Sequence, residues 1–178
     1  MSQSLPERTG EVTMRGNPVT LVGPRVEPGQ KAPDFRVVDT DLKPRTLSDY
    51  AGQVLLIASV PSLDTGVCDA ETRRFNQEAV QFGPDVRVLT VSMDLPFAQR
   101  RWCGAAGVDR VVTLSDHREA SFGTAYGVLI KELRLLARAV FVVDRGGVVR
   151  YVEYVPEVTQ HPNYEAAIQA VRQASAGA

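Results

Sequence analysis

The apolar run at residues 54–60 (VLLIASV) constrains the fold of this chain more than any other feature. A continuous run of this kind is typical of a β-strand that is covered on both faces. Small and apolar side chains then recur at steps of four and three, which predicts a helix. These side chains are Cys68, Thr72, Phe75, Ala79 and Phe82. A covered strand that leads into a helix indicates an α/β fold.

The rest of the chain alternates predicted strands and helices. Two strands flank residues 15–18 (RGNP) and predict an N-terminal β-hairpin, and residues 145–147 (RGG) predict a turn between the last two strands. Strands are predicted at residues 35–38, 86–93, 111–114, 139–144 and 148–155, and helices at residues 96–104, 117–126 and 163–172. This order predicts an α/β layer sandwich with a central mixed sheet, and a thioredoxin-like fold fits it well.

The length of 178 residues allows one domain whose core needs neither a disulfide nor a metal. We expect that domain over residues 11–178 and a flexible tail over residues 1–10. The net charge of −1 gives no strong field that would favour nucleic acid or an anionic membrane. No apolar run approaches the roughly 18 residues of a spanning helix, and the polar start lacks a secretory signal core. We therefore expect a cytoplasmic protein.

Cys68 lies in the first turn of the predicted helix, directly after residues 61–67 (PSLDTGV). The first N–H groups of a helix have no intrahelical partners and the helix dipole is positive there, so the position favours thiolate over thiol. Asp69 and Glu71 oppose this effect with their own negative charge. A nearby cation is therefore required. An arginine that is distant in sequence and brought in by the fold is a better candidate than Arg73 or Arg74 on the same helix.

Each candidate residue also has a purely structural interpretation. Free cysteine is among the most buried residue types, so the position of Cys68 favours packing and function about equally. Position alone favours Thr65 as a helix cap that accepts a hydrogen bond from the Cys68 N–H. The second cysteine, Cys103, lies in residues 100–104 (RRWCG) and forms no C-x-x-C pair, so on its own it is more typical of packing.

Other chemistries have weaker support in the sequence. A zinc site would need the two cysteines with His117 and His161, but none of their spacings is short enough for a structural zinc site. A Cys-His hydrolase would need one of these imidazoles beside Cys68, and both histidines are more typical of surface positions. No glycine-rich phosphate loop is present, so nucleotide binding finds no support.

Four segments in the right order resemble the atypical two-cysteine thiol peroxidase branch of the peroxiredoxins, and the resemblance covers the chain from about residue 12. They are residues 16–20 (GNPVT), residues 61–68 (PSLDTGVC), residues 94–99 (DLPFAQ) leading to Cys103, and residues 136–140 (LARAV). The resemblance implies a thioredoxin-like fold, a homodimer and thioredoxin as the electron donor.

The same resemblance assigns roles to five residues. It implies that Cys68 is the peroxidatic cysteine and Cys103 the resolving one, and that these two form an intramolecular disulfide. It implies that Thr65 and Arg138 are active-site partners of Cys68, and that Pro61 shields its sulfur. The expected activity is the reduction of hydrogen peroxide and organic hydroperoxides in antioxidant defence, with no metal or organic cofactor. Because the two cysteines lie in different predicted helices, the disulfide requires local unwinding.

Two rival functions use the same cysteines. A redox sensor would be oxidised once and would then change its partner binding, without sustained turnover of peroxide. A protein disulfide oxidoreductase would exchange disulfides with other proteins, and the missing C-x-x-C pair counts against it.

Overall fold

The computed structural model describes residues 4–107 and 110–176, and a mixed seven-stranded sheet forms the centre of this part of the chain. The strands are β1 (Glu7–Met14), β2 (Asn17–Val22), β3 (Arg36–Val38), β4 (Pro44–Thr46), β5 (Val54–Ser59), β6 (Val86–Ser92), β7 (Val111–Ser115), β8 (Leu129–Ile130), β9 (Leu135–Leu136), β10 (Ala139–Val143) and β11 (Val149–Tyr154). The helices are α1 (Gly66–Phe82), α2 (Pro96–Ala106), α3 (Ser121–Ala125) and α4 (Tyr164–Ala176), with a 3₁₀ helix at Leu47–Tyr50.

Strand β5 lies in the interior of the central sheet, whose order is β11-β10-β5-β6-β7-β3-β4. It pairs in parallel with β6 and antiparallel with β10, so the sheet is mixed as predicted. Ala139 at the start of β10 pairs with Ser59 at the end of β5. The residues that precede β10 therefore lie beside the residues that follow β5, although nearly 80 positions separate them in the chain.

The two faces of β5 pack into two separate apolar layers, because successive side chains of a strand point to opposite faces. Leu56 and Ala58 pack with side chains of α1 and α4 on one face. Leu55 and Ile57 pack on the other face with side chains of α3 and of a second sheet, β1-β2-β8-β9. Both faces are thus covered, which is what the continuous apolar run predicts.

The layered α/β architecture and the N-terminal hairpin are confirmed, but several element boundaries differ from the prediction. Residues 7–10, which the sequence assigns to a tail, form the start of β1 because their backbone groups pair with β2. The helix predicted at residues 117–126 is confined to α3 (Ser121–Ala125), after a left-handed Ala120. The 3₁₀ helix and strands β4, β8 and β9 were not predicted.

Residues 1–3 of the predicted tail lie outside the described residues. The division into a tail and one domain over residues 11–178 stays a prediction. Within residues 4–107 and 110–176, no helix is long and apolar enough to cross a membrane.

Candidate active site around Cys68

The Cys68 sulfur lies in the first turn of α1 and is fully buried. Its Sγ lies 3.1 Å from Nη2 of Arg138, which is itself almost fully buried. A guanidinium is charged at every physiological pH, and its field is strong where water is excluded. The contact therefore stabilises a negative charge on the Cys68 sulfur, as the helix N-terminus also does.

The fold brings Arg138 to Cys68 through the antiparallel pairing of β5 and β10. Arg138 directly precedes β10, and the Ser59 hydroxyl fixes the adjoining backbone by donating a 2.7 Å hydrogen bond to the Ala137 carbonyl. The Arg138 Nε donates to the Val158 carbonyl at 2.9 Å. With its backbone and its Nε both held, the guanidinium is fixed in orientation before any substrate arrives.

Glu71 is the second partner of Arg138 and lies one helical turn after Cys68. Its Oε1 accepts a hydrogen bond from Arg138 Nη1 at 3.1 Å, and both side chains are buried. Burial raises the pKa of Glu71 to about 7, although the charge of Arg138 opposes that shift. The sequence treats Glu71 as a charge that disfavours the thiolate. In the folded protein, this carboxyl is paired with Arg138, and burial favours its protonated form.

A pocket of about 300 Å³ opens next to this pair of buried groups. Pro61, Thr65 and Arg138 line it together with residues that directly precede Cys68 in the chain. Most of the remaining wall is apolar, formed by Met14, Val67, Leu135 and Val158. The structure thus places Pro61, Thr65 and Arg138 on the wall of one largely apolar pocket, and Arg15 lines it as well. The buried Cys68 sulfur lies behind this wall, in contact with Arg138.

The Thr65 hydroxyl does not cap α1, in contrast to the cap that the sequence predicts. Thr65 occupies the cap position with extended backbone angles, but its side chain makes no cap hydrogen bond. The hydroxyl donates instead to the Ser62 carbonyl at 3.0 Å. It therefore stays on the wall of the pocket, where its oxygen can still accept a hydrogen bond.

Cys103 has surroundings of a different kind. It lies on α2, half-buried, with its sulfur 3.6 Å from the Thr113 hydroxyl of β7. Burial raises the pKa of the Cys103 thiol, and the Thr113 hydrogen bond opposes the shift. Cys103 lines a second pocket, whose wall includes neither Cys68 nor Pro61, Thr65 or Arg138. Both cysteines are free thiols, and the structure does not bring Cys103 to the site of Cys68.

Trp102 links the two helices that carry the cysteines. Its indole Nε1 donates to Asp69 Oδ1 at 2.9 Å, and its ring packs against the cluster of Val60, Leu63 and Cys68. Asp69, which the sequence places in opposition to the thiolate, is occupied by this bond and by Arg73 at 2.8 Å. Its charge is compensated outside the pocket, so Asp69 and Glu71 have separate partners.

The histidines required by a Cys-His hydrolase lie elsewhere. His161 is exposed and its Nδ1 bonds the Tyr164 hydroxyl at 2.7 Å, while the His117 N–H donates to the Ser115 hydroxyl at 3.4 Å. The charged groups in contact with the buried centre in the described part of the chain are Arg138 and Glu71. The sequence did not predict the pairing of Glu71 with Arg138. The feature that could have indicated it is an acidic residue on the apolar side of an amphipathic helix.

Three comparisons with known proteins point to the same family. A model of the redoxin family matches residues 27–168. A thiol peroxidase of Bacillus subtilis is 60% identical over 162 residues, which span 91% of this chain and 96% of the relative. A solved peroxiredoxin-like protein of Aquifex aeolicus has a TM-score of 0.86 at 42% identity and covers 97% of this chain and 99% of its own. A thiol peroxidase of Chromobacterium violaceum shares the fold, with a TM-score of 0.82 at 20% identity over 94% of this chain and 98% of its own.

Proposed function

This chain belongs to the redoxin family and, through its relatives, to the thiol peroxidases within it, and from that premise we propose that Cys68 is the residue that reduces the peroxide. The activity of the protein is the thiol-dependent reduction of hydroperoxides. The observation that carries the assignment is the 3.1 Å contact between the buried Cys68 sulfur and the guanidinium of Arg138. The contact supplies a charged nucleophile at the edge of a pocket that admits a small substrate.

In the first step the Cys68 thiolate attacks one oxygen of the hydroperoxide in line with the O–O bond. The S–O bond forms as the O–O bond breaks, and the second oxygen leaves as an alkoxide or hydroxide that takes up a proton. Arg138 and the Thr65 hydroxyl hold the two oxygens and stabilise the charge that develops on the leaving one. Cys68 becomes a sulfenic acid, the substrate is reduced to an alcohol or water, and Pro61 shields the sulfur from bulk solvent.

In the second step Cys103 attacks the sulfenic sulfur of Cys68. An S–S bond forms, the S–O bond breaks, and water leaves. Because the two cysteines lie on different helices, and Cys103 lines a pocket away from Cys68, the first turn of α1 and the part of α2 around Cys103 must unwind to meet. A dithiol protein then reduces the disulfide by thiol–disulfide exchange, and we propose thioredoxin for this role.

Further parts of the proposal concern substrate range, assembly and place. The apolar wall of the pocket suits organic hydroperoxides as well as hydrogen peroxide, and the enzyme serves antioxidant defence. Two copies form a homodimer, and the protein acts in the cytoplasm. These statements rest on the family resemblance, and the mass of the reduced protein in solution tests the homodimer.

The decisive experiment measures NADPH consumption with thioredoxin, thioredoxin reductase and either hydrogen peroxide or cumene hydroperoxide. We expect sustained turnover by the wild-type protein and none by Cys68→Ser, with Arg150→Ala as an active surface control. Turnover retained by Cys68→Ser would refute the assignment of the nucleophile. A wild-type protein that consumes one equivalent of peroxide and then stops would favour a redox sensor or another reductant.

A further inference from the structure

The carboxylate of Asp94 holds the loop that precedes Cys68. Asp94 lies between β6 and α2, in the segment that leads to Cys103. Its Oδ1 accepts a hydrogen bond from the Ser62 hydroxyl at 2.8 Å, and its Oδ2 accepts one from the Leu63 N–H at 2.9 Å. Hydrogen bonds to a carboxylate are stronger than those between neutral groups, so two of them fix the position of this short stretch of backbone.

Ser62 passes this position on to Thr65. The Ser62 carbonyl accepts hydrogen bonds from the Thr65 hydroxyl at 3.0 Å and from the Thr65 N–H at 3.3 Å. The turn formed by these bonds places the Thr65 side chain on the wall of the pocket beside Arg138. The location of the Thr65 hydroxyl is thus determined by Ser62, whose own location is determined by Asp94.

Asp94 is also connected to helix α2. The Ser92 hydroxyl donates to Asp94 Oδ2 at 2.8 Å and accepts a hydrogen bond from the Gln99 side-chain amide at 3.0 Å. The same Gln99 amide donates to the Leu114 carbonyl at 2.9 Å, and Gln99 is almost fully buried. A continuous chain of hydrogen bonds therefore runs from Gln99 in the first turns of α2 to Thr65 at the pocket.

We propose that Asp94 is a positioning residue of the peroxidase reaction: through Ser62 it holds the Thr65 hydroxyl where it can contact the peroxide. Through Ser92 and Gln99, the same carboxylate makes the position of Thr65 depend on the folded state of α2. The inference rests on the proposed function, in which Thr65 contacts the peroxide oxygens. It explains why one acidic residue joins the two segments that carry the cysteines. When α2 unwinds to release Cys103, this chain breaks and the pocket loses its set geometry.

The test compares Asp94→Ala with Asp144→Ala, an aspartate that fastens the β10–β11 turn at the opposite end of the sheet through bonds to Gly146, Val148 and Arg150. Stopped-flow fluorescence of Trp102, the single tryptophan, follows oxidation of the reduced protein by hydrogen peroxide. Alkylation of Cys68 by iodoacetamide measures the nucleophile without a peroxide. Ser62→Ala provides a second variant, since it removes only the hydroxyl bond to Asp94 and leaves in place the Leu63 bond to Asp94 and the Ser62 carbonyl that binds Thr65.

We expect Asp94→Ala to lower the peroxide rate constant by about tenfold to a hundredfold, because small displacements of a catalytic group cost this much. Alkylation should change by less than about twofold, since Arg138 and the helix terminus are untouched. Asp94→Asn, which can keep the shape of the bonds, should recover most of the rate. In a Thr65→Val background the loss from Asp94→Ala should nearly disappear, because both changes remove the same contact.

The inference is overturned if the two losses multiply in full, if alkylation falls together with peroxide reduction, or if Asp94→Ala reacts as fast as wild type. Equal losses in Asp94→Ala and Asp144→Ala that follow their thermal unfolding would also overturn it, because they would show a general structural effect. Absence of peroxide reduction by wild-type protein and Asp144→Ala alike would refute the proposed function itself, which the other outcomes leave intact.

Discussion

The two cysteines have opposite electrostatic surroundings. Cys68 is fully buried against a guanidinium whose charge stabilises a thiolate. Cys103 is half-buried beside the neutral hydroxyl of Thr113, and burial raises the pKa of its thiol. The surroundings of Cys68 therefore favour a negative charge on its sulfur, whereas those of Cys103 favour the neutral thiol while α2 is folded.

This difference follows the order of the two proposed steps. A peroxide arrives from solution at any moment, so the group that attacks it has to be charged and oriented in the resting enzyme. The resolving thiol is needed only after the first step, when unwinding of α2 removes it from its buried position. A resolving cysteine that is unreactive in the folded helix avoids side reactions before the first step has taken place.

The largest effect that would test this division of roles is the loss of cycling in Cys103→Ser. Without a resolving thiol, we expect each chain to consume about one equivalent of peroxide and then to stop in the thioredoxin-coupled assay. Mass spectrometry should find the added oxygen on Cys68. Full thioredoxin-dependent cycling in this variant would refute the role of Cys103.

Removal of the charge next to Cys68 should give the second largest effect. We expect Arg138→Ala to slow the first step by about a hundredfold or more, a typical cost of losing one donor to a developing negative charge. Because this change also leaves Glu71 unpaired, Arg138→Lys is the safer companion, since it keeps the charge but loses the fork of donors. The rate is measured by stopped flow across pH 5–9, and an unchanged profile in both variants would contradict the role of Arg138.

A smaller effect concerns stability and involves only the Cys68 side of the molecule. Burial raises the Glu71 pKa from 4.5 to about 7, so the folded protein holds this proton more tightly than the unfolded chain does. The resulting contribution to stability is complete below pH 4.5 and is lost as the pH rises through 7. The loss reaches at most about 3 kcal/mol. We expect the free energy of unfolding in urea to fall from pH 5 to pH 8 and to fall less in Glu71→Gln.

The matched control for this measurement is Glu78→Gln, on the same helix but paired with Arg74 at the surface. Its pH dependence should follow the wild-type curve. Burial also raises the pKa of Asp116, to about 6. Part of the fall in unfolding free energy with pH should therefore remain in every variant. Equal curves for wild type and Glu71→Gln would show that burial of Glu71 does not govern its ionisation.

The smallest effect sharpens the description of Cys103. Thr113→Val removes the hydrogen bond that opposes the raised pKa of this thiol, so its reaction with a disulfide reagent at pH 8 should slow by less than about threefold. The measurement is made in a Cys68→Ser background. Thr90→Val is the control, because Thr90 lies next to Thr113 in the sheet and its buried hydroxyl has no partner among the described residues. A faster reaction of the Thr113 variant would contradict the assigned contact.

The sequence predicts the elements whose apolar pattern is long and misses those that depend on pairing. Strand β5 has a continuous apolar run and helix α1 a clear helical period, although α1 starts at Gly66, two residues before the pattern begins at Cys68. Strands β8 and β9 have two residues each, too few for any pattern. Residues 7–10 are polar, and only the partner strand β2 places them in the sheet.

The same limit applies to the site. The position of Cys68 at a helix start follows from local pattern, whereas its contact with Arg138 depends on the β5–β10 pairing and enters the sequence analysis only through resemblance. Glu71 reads as a repulsive charge until its partner, 67 positions away, is known. Asp94 belongs to a recognisable segment, but its bonds to Ser62 and Leu63 are a property of the folded chain.

The missing cap on α1 has a consequence for the motions of the enzyme. An unused cap costs about 1 kcal/mol of helix stability, and the Thr72 hydroxyl weakens the first turn further by donating to the Cys68 carbonyl at 2.8 Å. A Cβ atom at Gly66 would meet open space, so no close packing requires a glycine at this position. The glycine nevertheless gives the start of α1 extra backbone freedom. Amide hydrogens in this turn should therefore exchange through local openings that require far less free energy than global unfolding. We therefore expect the Cys68 sulfur to be carried by a part of α1 that opens more easily than the sheet on which the helix packs.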